Sequence, residues 1–132
     1  SRSENINNLK KIYKKKVIII DRFIDSTLAY QHYGLGVDLK LIKQINNYLL
    51  ETFKVDFTFL NIVNKKNMLK RLKKRKNLNR YDKFNYNFYS KVQRGFIKIA
   101  SKNKNKYKII DSNNDIELNK VIILEKINKL LR

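Results

Sequence analysis

The stretch Val17-Ile18-Ile19-Ile20-Asp21-Arg22-Phe23-Ile24-Asp25-Ser26-Thr27-Leu28-Ala29-Tyr30-Gln31 decides the fold class. Its first four residues are apolar on consecutive positions, the pattern of a strand buried on both faces in a parallel sheet. A charged pair then ends the run, and hydrogen-bonding side chains crowd into the segment from Asp25 to Gln31. Two further runs share the consecutive apolar pattern: Phe57-Thr58-Phe59-Leu60 continuing to Val63, and Tyr107 to Ile110. Helical spacings separate them. Leu39, Ile42, Ile45, Leu49 and Leu50 predict one apolar face from Leu39 to Phe53, and Phe88, Val92, Phe96 and Ile99 predict another. Ile116, Val121, Leu124, Ile127 and Leu131 mark a closing helix with Asp115 as its N-cap, and Ile6, Leu9, Ile12 and Tyr13 read as the end of an opening one. Strands alternating with helices predict an α/β fold on a parallel sheet.

The 132 residues suffice for one domain, residues 1–132, without internal repeat or Gly/Ser/Pro-rich linker. Cysteine is absent, which excludes disulfides, thiolate zinc sites and cysteine nucleophiles, and proline is absent too. No apolar run approaches the roughly 18 residues of a membrane span, so a reducing cytoplasm is the expected compartment. The chain opens on Ser1-Arg2-Ser3 rather than Met, which raises the expectation of a fragment. Its formal charge is +20, from 31 basic and 11 acidic residues. Lysine outnumbers arginine 24 to 7, and asparagine (18) and isoleucine (17) are abundant too, so the charge reads as a compositional bias toward AT-rich codons. Readers of nucleic acid lean on arginine for bidentate contacts, and charge alone governs loose association rather than fold.

In a parallel α/β sheet, ligands bind beyond the carboxyl ends of the strands. Asp21-Arg22 falls there: a carboxylate can hold Mg²⁺ through water, and a guanidinium can fork onto a phosphate. An ion pair or a helix cap at a strand end explains the two residues equally well. Thr27, Tyr30 and Gln31, with Ser26 beside them, recur at spacings of three and four and so share a helix face. Hydroxyl, phenol and amide beside an arginine suit a ligand with an anionic end and a hydrogen-bonding ring.

The segment Asp21–Gln31 resembles the DR(F/Y)xxSTxAYQ motif of thymidylate kinases, which phosphorylate dTMP to dTDP with MgATP. Leu69-Lys70-Arg71-Leu72-Lys73-Lys74-Arg75-Lys76-Asn77-Leu78-Asn79-Arg80-Tyr81-Asp82 resembles that family's arginine-rich lid, LxRxxxRxxxDRxE, with residues 71–82 as the lid segment. Phe88-Tyr89-Ser90-Lys91-Val92-Gln93-Arg94-Gly95-Phe96 is similar to its FFxRVRxxY helix, Ile109-Ile110-Asp111-Ser112 to its VIDA strand end, and Ser1-Arg2-Ser3-Glu4 to its SARxQ helix.

The resemblance implies roles for individual residues. Arg22 would bind the dTMP phosphate and Asp21 would position Mg²⁺ through its water shell. Thr27 and Arg2 would face thymine, with Ser26 beside them, Tyr30 would crowd the sugar 2′ position and Gln31 would lie alongside. Arg71 would pack over adenine, while Arg75 and Arg80 would reach the transferring phosphates. Mg²⁺ and ATP are the implied cofactor and phosphate donor. The resemblance also implies a homodimer in the full-length protein, with no membrane and no specific nucleic acid as partner.

Departures from the family pattern are visible. His32-Tyr33-Gly34-Leu35-Gly36 replaces GGGRG, Asn79 stands where aspartate is common, and the strand near Ile62 lacks its usual aspartate. His32, the only histidine, reads as a loop residue rather than an acid–base catalyst. No GxxxxGK(S/T) loop occurs, so the expected architecture is a P-loop nucleoside-monophosphate-kinase sheet missing its first two strands. The family order 2-3-1-4-5 would leave a slot between Val17–Ile20 and Phe57–Val63, and the chain alone would be inactive. A small basic nucleic-acid-binding domain is the competing reading. Against it, the aromatics Phe88, Tyr89 and Phe96 fall at core-helix spacing instead of interleaving with basic residues on a surface.

Overall fold

The computed structural model describes residues 2–51, 54–75 and 85–132. Helix α1 (Arg2–Ile12) leads through a turn and an irregular stretch to α2 (Ile24–Thr27), which runs directly into a π-helix over Leu28–Gly34. Next come α3 (Leu39–Leu50), strand β1 (Thr58–Ile62), α4 (Lys65–Lys73) and α5 (Tyr86–Ser101). A 3-10 turn at Lys104–Lys106 opens β2 (Tyr107–Asp111), and α6 (Ile116–Leu130) follows.

Three helices start on a polar side chain that satisfies an otherwise orphaned backbone N–H. Asp38 accepts from the Leu41 N–H at 3.0 Å before α3, Asn64 from Asn67 at 2.9 Å before α4, and Asn85 from Phe88 at 3.3 Å before α5. Asp115 occupies the expected N-cap position of α6 without a side-chain capping bond, its carbonyl accepting from the Asn119 N–H at 3.1 Å.

β1 and β2 pair in parallel, with Thr58 opposite Tyr107, Leu60 opposite Ile109 and Ile62 opposite Asp111. Val17–Ile20 does not become the third strand that its apolar run predicts. It joins no ladder, with Val17 65% and Ile19 85% exposed. Apolar sequence supplies the tendency to extend, but a strand needs a neighbour to take its N–H and C=O groups.

The core sits between the π-helix and α5. Ala29, Phe88 and Val92 are buried, and Tyr30, Tyr89, Phe96 and Ile99 pack around them. Tyr30 meets Phe88 and Phe96 edge-on, at centroid distances of 6.1 and 6.2 Å. Two glycines let these helices touch. A Cβ on Gly34 would stand 2.7 Å from the Phe88 ring, and one on Gly95 would stand 2.6 Å from Tyr33. α3 buries Ile42 and Asn46, and the Asn46 amide donates to the Ile24 carbonyl at 3.4 Å, tying α3 to α2.

Candidate functional site

Two groups of candidate residues emerge. The first lies on the segment after Val17–Ile20. Asp21 and Arg22 are exposed, while Ser26, Thr27, Tyr30 and Gln31 are half-buried. Arg22 has φ +59°, left-handed backbone that a side chain with a Cβ adopts only at some cost. Its guanidinium lies over the Tyr30 ring, 5.7 Å from the centroid. Tyr30 in turn is seated on Phe88 and Phe96, so the α5 core fixes the platform under the arginine. Residues held in sparsely populated backbone regions cluster at functional sites, and Arg22 is the only non-glycine of this kind among the described residues.

The π-helix changes the face that the spacing predicts. Tyr30 and Gln31 lie in π-helical backbone while Ser26 and Thr27 lie in α-helical backbone, so the four do not continue one regular α-helical face. The Leu35 N–H reaches back to the Tyr30 carbonyl at 3.0 Å, and the Val37 N–H to the Gln31 carbonyl at 2.8 Å. His32 belongs to this element rather than to a loop, and its Nδ1 lies 2.8 Å from the Val37 carbonyl. That contact makes Nδ1 the protonated, donating nitrogen.

Sequence reasoning passed over Asp25 and Tyr107. The Tyr107 hydroxyl donates to Asp25 Oδ2 at 2.7 Å across 82 residues of chain. Burial pushes the Asp25 carboxyl above the usual range, and the bond from Tyr107 opposes the rise. The Tyr107 phenol is raised as well, first by burial and then by its bond to Asp25 and that carboxylate's charge, with Thr58 working the other way. Asp25 stood inside a recognised motif at a position the motif leaves open, so no spacing signal marked it.

The second group surrounds Arg71 on α4. Its guanidinium donates to the Ser112 carbonyl at 2.9 Å, just past the carboxyl end of β2. Arg71, Ser112, Asn119 and Lys120 line a cleft of about 410 Å³ together with Ile116, Ile123 and Leu124. Aliphatic side chains and Lys120 come from α6 and the second cation, Arg71, from α4, a combination that suits a flat ring bearing an anionic tail. Asn119 holds the Asp111 carbonyl with its amide nitrogen at 2.8 Å, while its side-chain oxygen is buried without a partner.

Asp25 is bonded through Tyr107 at the amino end of β2, and Arg71 through Ser112 just beyond its carboxyl end, about 16 Å further along the strand at the usual rise per residue. Arg75 follows α4, its N–H bonded to the Leu72 carbonyl at 3.3 Å. Residues 76–82, most of the expected lid and Arg80 among them, lie outside the described residues, and the side chain of Arg2 lies outside the described side chains.

Among the described residues no cluster of three or more His, Cys, Asp or Glu could hold a metal by itself. A lone exposed carboxylate such as Asp21 fits Mg²⁺ bound through water and substrate phosphates, since that ion needs only one or two protein carboxylates. No helix among the described residues is long and apolar enough to cross a membrane.

A family profile described as thymidylate kinase matches residues 2–123. A thymidylate kinase of Wolbachia pipientis (strain wPip) is 42% identical over 106 residues, covering 80% of this chain and 50% of that protein. The thymidylate kinase of Acholeplasma laidlawii is 32% identical over 133 residues, covering 99% of this chain and 66% of that protein. The crystal structure of thymidylate kinase from Ehrlichia chaffeensis superposes with a TM-score of 0.60 at 31% identity, covering 99% of this chain and 62% of that one. The chain spans about half the length of several of the relatives it matches.

Proposed function

The chain belongs to the thymidylate kinase family, and from that premise we propose that its residues serve transfer of the γ-phosphoryl group of ATP to dTMP, giving dTDP and ADP. The observation that carries this reading is the Arg71 cleft, with its guanidinium reaching to the β2–α6 loop beside an aliphatic wall. Arg71 packs there over the adenine ring. Arg75 and Arg80 follow it toward the phosphates, where cations aimed at the oxygens supply most of what phosphoryl transfer needs from a protein.

On the acceptor side Arg22 forks onto the dTMP phosphate and Asp21 holds Mg²⁺ through its water. Bound Mg²⁺ neutralises charge on the phosphates. Thr27 and Arg2 face the thymine edge with Ser26 beside them. Tyr30 narrows the space at the sugar 2′ position, favouring deoxyribose, and Gln31 lies alongside. The working protein is a cytoplasmic homodimer in this reading.

A coupled assay with dTMP and MgATP on protein carrying these residues tests the proposal. Formation of dTDP and ADP is expected, and turnover of AMP with dTMP untouched would overturn it. Arg22→Ala should lower kcat/KM for dTMP by roughly 10- to 150-fold, because a hydrogen bond to a charged group contributes about 1.5–3 kcal/mol. An Arg22→Ala enzyme with wild-type kinetics for dTMP would move the phosphate site elsewhere.

A further inference from the structure

We propose that Asn113 is a positioning residue: its side-chain amide docks the start of α4 on the β2–α6 loop and so holds Arg71 across the cleft. The consequence for nucleotide affinity rests on the donor-site reading above. Asn113 Oδ1 accepts two bonds from α4, from the Asn64 N–H at 3.1 Å and from Asn67 Nδ2 at 2.9 Å. Both lone pairs of the amide oxygen are thereby used. On its other side Asn113 donates twice to Asp111 Oδ1, from Nδ2 at 2.6 Å and from its own N–H at 2.9 Å. The amide orientation is set by the partners, since a backbone N–H can only donate and a carboxylate can only accept.

The loop that carries this hub is itself held. The Ser112 N–H donates to the Ile62 carbonyl at 2.8 Å, and Asn119 Nδ2 donates to the Asp111 carbonyl at 2.8 Å. Behind α4, Gln93 of α5 grips Val63 with both ends of its amide, accepting from its N–H at 3.0 Å and donating to its carbonyl at 2.9 Å. The residue before the α4 cap is therefore fixed from α5, and the cap residue itself from the β2–α6 loop. Asn64, Asn67 and Arg71 stand at i, i+3 and i+7, one face of the helix. Anchoring the first two sets the height and rotation at which the third meets Ser112. Arginine has a long, rotamer-rich side chain, so a fixed starting point for Arg71 is what makes its reach across the cleft reproducible.

Asn113→Ala removes every side-chain bond of the hub. Asn113→Asp keeps the acceptors for α4 but sets a second carboxylate against Asp111. The direct readout is the guanidinium ¹H–¹⁵N signal of Arg71. In a full-length kinase carrying these residues we expect a dispersed, exchange-protected signal in the wild type that moves to the free-arginine position in both variants. ATP titration should then show affinity roughly ten-fold weaker in each, with no further loss when the change is made in an Arg71→Ala background. An unchanged Arg71 signal in Asn113→Asp, or losses that simply add to that of Arg71→Ala, would overturn the proposal. Should the alanine variant fail to fold, the aspartate variant decides alone. If ATP does not bind the wild type while the Arg71 signal still depends on Asn113, the positioning role stands and the donor-site reading falls.

Discussion

At the scale of single residues, the Asp25–Tyr107 pair controls how stability depends on pH. Both groups have pKa values above their ordinary ones, so the folded state holds each proton more tightly than the unfolded chain. For Asp25 the contribution is fully present below the unfolded carboxyl value of about 3.9 and is lost as pH rises through the higher folded value. For Tyr107 it is present below about 10 and lost above. Asp25→Asn keeps an acceptor for the phenol without a charge to desolvate, so it should be neutral or stabilising at pH 7 and should flatten the acidic part of the profile. Tyr107→Phe leaves the carboxylate half-buried without its donor. It should lower stability at pH 7 by about 1–3 kcal/mol. Denaturant titrations of both variants between pH 3 and 8 check this, and equal losses in the two would show that the bond contributes nothing specific.

At the scale of elements, the contact between the π-helix and α5 depends on Gly95. Alanine in a helix interior is ordinarily favoured over glycine by about 1 kcal/mol. Here the added methyl would meet the Cβ and ring of Tyr33 at 2.6–2.8 Å, and the ring belongs to a helix that cannot retreat without lifting Tyr30 off Phe88 and Phe96. Overpacking should win, and Gly95→Ala should destabilise by about 1–3 kcal/mol in urea unfolding; a gain in stability would show that Tyr33 swings aside freely. Helices were the legible part of the fold, because the three-and-four spacing of Phe88, Val92 and Phe96 is a property of the chain itself. The π-helix was not legible, since it differs from an α-helix by one residue in its hydrogen-bond register and leaves the apolar spacing nearly unchanged. Val17–Ile20 read as a strand because its residues favour extension, yet a ladder depends on neighbours that no local pattern encodes. Arg71 and Arg22 were legible through their motifs. Asp25, Asn113 and Asn119 were not, because each acts through one partner distant in sequence or through an amide among many asparagines.

At the scale of the whole molecule, charge and uncovered surface set behaviour. The +20 charge comes mostly from lysines spread over every segment, so polyanions should bind loosely and release with salt. A duplex-DNA titration should weaken steeply between about 50 and 200 mM salt, values typical of such tests, whereas salt-resistant, sequence-selective binding would favour a dedicated nucleic-acid surface. Uncovered apolar surface leads to a stronger expectation. Val17 and Ile19 stand in solvent, Ile116 is 80% exposed, and Leu118, Val121, Leu124 and Leu130 leave α6 without a buried residue. A two-stranded parallel sheet cannot compensate, since parallel strands are normally covered on both faces and flanked by neighbours. The 132-residue chain by itself should therefore unfold in urea with a slope below about 1 kcal/mol/M, the low end for small proteins, and should bind a hydrophobic dye before denaturant is added. A steep two-state transition with no dye binding would mean that the apolar faces of α6 and Val17–Ile20 cover one another in solution, and that these residues close a core of their own.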